Sequence, residues 1–197
     1  CPRRFFYTHV LQIGKRRKMT AFMKMHEAVR SIFQAVARGE LLITDGNDLD
    51  DAIAGSFEEL GLADHGYAED YKKIAVSLLN FFTLSREGRT SEDVGEIRLG
   101  FGDDELIVRP DDILVDGLGQ RTVRRVRTGH SRSTEHDEIG AASLMLAVSK
   151  EYPGAVVELV HLSDLVAKTL SLSSRKLKNR EKKLGEFFQN IRSGHFP

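Results

Sequence analysis

The hydrophobic period of this chain changes once, and that change limits its fold more than any other feature. Up to Leu84, apolar residues recur every three or four positions, whereas beyond Arg89 they alternate or fall in short runs. The first pattern belongs to amphipathic helices and the second to strands. Phe22, Met25, Val29, Ile32, Phe33 and Val36 predict a helix over 19–38, with His26 on its apolar stripe. Further helices are expected from Leu49 to Leu60, stopped by Gly61, and from Tyr67 to Leu84, with Tyr71, Ile74, Leu78 and Phe82 on one face. Segments 96–101, 105–108, 113–115 and 121–127 read as strands joined by turns at 102–104 and 117–119, so a meander of three or four strands is expected. Helix returns over 136–150, with Ile139, Ala142, Leu146 and Val148 inward. Strands follow at 155–162 and 166–171, and Ser173 or Ser174 caps a last helix running to about Arg192. This order describes an α/β or α+β domain with a mixed sheet.

Composition narrows the class. With 197 residues, 41% hydrophobic and 29% charged, the chain suits one domain and excludes a disordered or collagenous polymer. No apolar run approaches the ~18 residues of a bilayer span, so no membrane partner is expected. The single cysteine, Cys1, makes no internal disulfide, and a reducing, cytoplasmic setting is the expectation. An opening on Cys1-Pro2 and a close on Phe196-Pro197 read as a domain excised from a longer protein. Walker, Cys-x-x-Cys and Gly-x-Ser-x-Gly motifs are all missing from the sequence, which argues against a nucleotide-hydrolysing motor or a closed zinc site in these residues.

A formal net charge of zero conceals a segregation. Residues 45–120 hold 19 acidic against 6 basic residues, leaving an excess of thirteen positive charges to the rest. Those charges cluster at 15–18, at Arg121, Arg124, Arg125, Arg127 and Arg132, and at Arg175, Lys176, Lys178, Arg180, Lys182 and Lys183. If the clusters converge they form a basic face suited to a phosphate backbone; taken separately they are ordinary solvated faces.

The segment Ile107-Val108-Arg109-Pro110-Asp111-Asp112-Ile113, followed by Val123-Arg124-Arg125-Val126-Arg127-Thr128-Gly129-His130, resembles the core of the PD-(D/E)XK nucleases, and most closely the RecB-like nuclease domains of superfamily I helicase-nucleases. In that family two strand carboxylates hold a divalent metal and a lysine orients the attacking water. The resemblance extends over most of the chain. Cys1-Pro2-Arg3-Arg4-Phe5-Phe6-Tyr7 is similar to the family's opening motif, His26 to its helix-borne metal-site histidine, and Glu96 to a glutamate that leads the meander. Residues 191–197 resemble the lead-in to a Cys-rich tail, which implies Cys1 as an iron-sulfur ligand in a full-length protein. The implied architecture is a restriction-endonuclease-like core over 91–197, ending in the basic helix, with a helical part over 1–90.

Departures from the pattern decide the functional expectation. Aligning on Thr128-Gly129 puts Arg127 at the family's lysine and Arg125 at its second aspartate, leaving Asp112, or less favourably Asp111, as the first. A guanidinium keeps its positive charge where a divalent cation should sit. The expected function is therefore a catalytically inactive nuclease domain of an ATP-dependent DNA helicase or helicase-nuclease in DNA repair or recombination. His26, Glu96, Asp112, Arg125 and Arg127 are its vestigial site. Arg124, Arg125, Arg127, Lys176, Lys178, Lys182 and Lys183 are its candidate DNA contacts, helicase domains are its protein partners, and no cofactor is expected in this fragment. The alternative is an active exonuclease using magnesium or manganese, its carboxylates rearranged around Glu96, Asp112, Glu135, Asp137 and Glu138. Quieter readings stay open: His26 as a core histidine, Asp111-Asp112 as a turn, Arg125 and Arg127 as structural partners of Asp112 and Glu96, and the chain as a structural module.

Overall fold

The computed structural model describes Tyr7, Leu11, residues 18–135 and residues 138–194. Cys1, the cluster at 15–17, Asp137 and residues 195–197 lie outside them, and with them fall the proposed iron-sulfur ligand and most of the first basic cluster.

Three helices come first. α1 (Ala21–Ala37) starts at Thr20, whose hydroxyl accepts from the Met23 amide, and buries Met25, Val29, Ile32 and Phe33. α2 (Gly46–Glu59) opens with a capping box between Asp45 and Asp48. At its far end Lys24 Nζ donates to the Leu60 carbonyl at 2.6 Å, placing a cation at the negative end of the helix dipole. Gly61, at φ +63°, adopts the left-handed conformation that lets the chain leave the helix. α3 (Ala68–Leu84) buries Ala75, Leu78, Leu79 and Phe82. Two residues expected inward point out: Phe22 is exposed, because it lies in the first turn beyond the neighbouring helices, and so is Ile74.

The sheet has five strands in the order β1 (Arg89–Ser91), β4 (Asp112–Asp116), β5 (Arg121–Arg127), β6 (Val156–His161), β7 (Val166–Leu170). Only β5 and β6 run parallel, joined through α4 (Ile139–Glu151); the other pairs are antiparallel. The protein is thus α/β with a mixed sheet flanked by helices.

The expected meander is divided. β2 (Ile97–Phe101) and β3 (Asp104–Val108) form a separate two-stranded ribbon. Pro110, which has no amide hydrogen to donate to a ladder, stands between β3 and β4, and Ile97, Leu99 and Val108 pack with α4 instead of extending the main sheet. β1 carries no sequence signal, being three polar residues that pair with β4.

The sheet separates two cores. Val126, Val160 and Leu162 meet α1, α2 and α3 on one side. Ile113, Val123 and Val157 meet the ribbon, α4 and α5 (Ser174–Arg192, capped by Ser173) on the other. α4 is buried continuously from Ala141 to Val148, since sheet, ribbon and α5 enclose it. Ile139, in its first turn, stays exposed.

One polar contact crosses this arrangement. Arg124 and Asp112 are both 0% exposed, and Arg124 Nη1 donates to Asp112 Oδ2 at 2.9 Å. Arg86 Nη1 reaches the other oxygen at 3.0 Å, and Arg124 Nη2 donates to Ser85 Oγ at 2.5 Å. Removing one member of such a buried pair strands the other charge in the core. Asp112→Ala is expected to cost about 3–5 kcal/mol in urea unfolding, and a loss below about 1 kcal/mol, the scale of an exposed pair, contradicts this account.

Candidate functional site

Alternation along β5 sorts its arginines. With Asp112 opposite Arg124, residues Thr122, Arg124 and Val126 face α3, while Val123, Arg125 and Arg127 face the other way. Arg124, expected as a DNA contact, is instead a core residue lying 5.8 Å from the Phe82 ring, with no surface to offer a ligand.

The first aspartate is also reassigned. Asp112 belongs to the Arg124 side, so the carboxylate that meets Arg125 is Asp111. Asp111 Oδ2 accepts from the Val126 amide at 2.9 Å and stands 3.6 Å from Arg125 Nε. Burial pushes the Asp111 carboxyl above its ordinary range, against the pull of Arg125 and the Val126 amide. Arg125 and Arg127 pair with neither Asp112 nor Glu96, contrary to the structural alternative read from the sequence. Glu96 stands before β2, where it accepts from Arg98 Nη2 and Arg109 Nε, both at 2.6 Å.

Around Asp111 and Arg125 opens a cleft of about 680 Å³. Arg30, Gln34 and Arg38 line it from α1, Arg109 and Pro110 from the β3–β4 link, Arg125 and Arg127 from β5, and Thr128, Gly129, His130, Arg132, Glu135 and Glu138 from the approach to α4. Six arginines and His130 face three carboxylates, Asp111, Glu135 and Glu138. The arginines differ in availability. Arg127 Nη1 donates to Glu135 Oε1 at 2.5 Å and to Glu138 Oε2 at 3.3 Å. The other Glu135 oxygen lies 2.7 Å from Nε2 of the fully buried His161, opposite Arg127 on β6. Among the described residues Arg38 and Arg132 approach carboxylates at 4.0 Å, and Arg30 is exposed on α1.

At the rim, His130 Nδ1 lies 2.6 Å from Asp164 Oδ1, and the Ser131 amide donates to Asp164 Oδ2 at 2.6 Å. These contacts hold the Asp164 carboxyl well below the usual carboxylate range. His26 sits one turn before Arg30, half-buried and edge-on to Phe22 at 4.4 Å. Burial first, and the nearby His130 second, lower its pKa.

The donor set does not suit a divalent metal. Asp111 has a guanidinium against it, and Glu135 is shared between Arg127 and His161. Among the described residues no three His, Cys, Asp or Glu side chains form a ligating group.

The basic clusters do not converge among the described residues. β7 runs antiparallel to β6 and ends away from the cleft, so α5 starts at the far end of the sheet, where Glu181 pairs with Lys150 in the last turn of α4. Lys176, Lys182 and Lys183 line a groove that shares no residue with the cleft, and Lys178 is exposed on the same helix. Arg121 is likewise engaged elsewhere, by Glu92 and the Tyr152 ring.

Sequence reasoning missed Arg30, Gln34 and Arg38. Their four-residue spacing, a row on one side of a helix, was a signal, but it acquires meaning only when α1 lies across the strand ends. No helix among the described residues is long and apolar enough to cross a membrane. Searches against protein-family models give no match, and comparison with curated proteins gives none either.

The lowered pKa of His26 has a testable sign. Below the ordinary value of 6.5 the unfolded chain takes up a proton that the folded one resists, so this stability is present above pH 6.5 and lost as pH falls towards the folded value. His26→Phe is expected to reduce the fall in Tm between about pH 7 and about pH 5; an unchanged fall contradicts the assignment.

Proposed function

We propose that this chain is a RecB-like PD-(D/E)XK domain whose metal site has been replaced by arginine, and that it binds the nucleic-acid backbone in the Asp111–Arg125 cleft without cutting it. The observation that carries this reading is Arg125 Nε, 3.6 Å from Asp111 in a cleft of six arginines and three carboxylates. On this reading Pro110-Asp111 corresponds to the family's Pro-Asp and Arg125-Val126-Arg127 to its (Asp/Glu)-x-Lys. A fixed guanidinium supplies positive charge and hydrogen-bond donors to a phosphate, but no metal-bound hydroxide to attack it.

Arg30 and Arg38, two turns apart on α1, are separated by about 12 Å along the helix axis, which spaces them for different phosphates of one strand. Arg127 serves differently: held by Glu135 and Glu138, it braces the loop before α4. The lysines of α5 supply a second, separate phosphate-contacting surface. Within an ATP-dependent DNA helicase or helicase-nuclease, such a domain supports the motor and grips DNA in repair or recombination.

Oligonucleotide binding followed by fluorescence anisotropy tests this. An excess of about three charges in the cleft predicts a contribution of about −2 to −3 to the slope of log K against log salt, to which the α5 lysines add. Replacing Arg30 and Arg125 together by Ala should flatten that slope by about two. Salt-insensitive binding, or none at low salt, rejects the reading. So does plasmid nicking in Mg²⁺ or Mn²⁺ that Asp111→Ala abolishes.

A further inference from the structure

Outside the cleft, the free face of α3 has a pattern that the core does not require. Lys73, Ser77, Asn80 and Leu84 of α3, with Glu87 in the turn just beyond it, line one groove at successive spacings of four, three, four and three residues, a single seam along one side of the helix. None of the five is buried. Val76 and Thr83 flank the seam.

The pattern is symmetric about Asn80. Reversing the direction of the helix around that residue exchanges Lys73 with Glu87, Val76 with Leu84, and Ser77 with Thr83. A two-fold interface brings each position of one subunit against its mirror position of the other. Cation then meets anion at both ends, apolar meets apolar, hydroxyl meets hydroxyl, and Asn80 meets its own copy on the axis.

A second observation extends the same surface. Leu165, which lines the groove, is 51% exposed and has φ +52°, the sole described non-glycine residue with positive φ. A leucine held in that conformation is strained. It closes the 3₁₀ turn Leu162–Asp164 and thereby sets its side chain beside α3.

We propose that a second copy of this chain occupies the groove, α3 packing antiparallel on α3 about Asn80. Charge complementarity selects this occupant, because Lys73 and Glu87 stand seven residues to either side of the axis with opposite signs. Among the described residues Lys73 makes an exposed contact to Asp70 at 3.9 Å, which a partner's carboxylate can replace. The interface is a small one, so the association is weak and concentration-dependent.

Sedimentation equilibrium on the full chain, at concentrations up to about 100 μM, is the test. Dimer is expected at the upper end. Lys73→Glu and Glu87→Lys should each weaken it by at least about tenfold, because each turns two attractions into two repulsions. Both changes together restore the attractions with inverted signs and should return the dissociation constant to within about threefold of the original. Leu84→Asp should abolish the dimer, with far-ultraviolet circular dichroism unchanged because Leu84 is 60% exposed. A monomer at every concentration overturns the proposal, and so does a double charge reversal that fails to restore association.

Discussion

The buried pair of Arg124 and Asp112 is the constraint around which the rest of the molecule is arranged. It joins two adjacent strands at facing positions, draws in Arg86 and Ser85 from the end of α3, and approaches Glu158 on β6 at 3.5 Å. Burial pushes the Asp112 carboxyl up and the Arg124 guanidinium down from their ordinary values, so each charge resists its position and depends on the other. Desolvation offsets much of what such a pair gains, and its contribution lies in specificity: any other register of β4 on β5 leaves a charge buried without its partner.

That register decides the cleft. Because side chains alternate, committing Arg124 and Asp112 to the α3 side turns Arg125 and Arg127 away from it; both stand near the end of β5, where Asp111, the row Arg30, Gln34 and Arg38 and the approach to α4 complete the walls of the cleft. The two adjacent aspartates thus do different work: Asp112 holds the sheet to α3, and Asp111 holds Arg125 at the cleft. Positive charge that a random surface spreads thinly is gathered in a concavity, where low-dielectric walls strengthen its field.

Much of the fold was legible in the chain. α1, α2, α3, β5 and α5 lie within a few residues of their expected bounds, because each carries a sustained period or a clear cap. The ribbon was harder to read. Local alternation marks β2 and β3 as strands but cannot say which neighbour they join, and Pro110 and the bare surface of α4 settled that. At the site, sequence motifs brought Arg125 and Arg127 forward, and both line the cleft. They misplaced Arg124, and they favoured Asp112 over Asp111, since an Asp-Asp doublet gives no phase. Glu135 and His161 meet across 26 positions, a closeness no local pattern encodes.

By itself, the sequence determined the succession of helices and strands and most of the apolar face that α1 and α3 bury. These are consequences of periodicity and side-chain chemistry, which act over a few residues. Only the tertiary structure decided which aspartate meets which arginine, that α1 lends Arg30 and Arg38 to the cleft, and that the lysines of α5 stand at the opposite end of the sheet. The reason is that pairing register and strand order are properties of contacts between distant segments, fixed by burying apolar surface and neutralising charge together, and a one-residue shift sends every side chain to the other face.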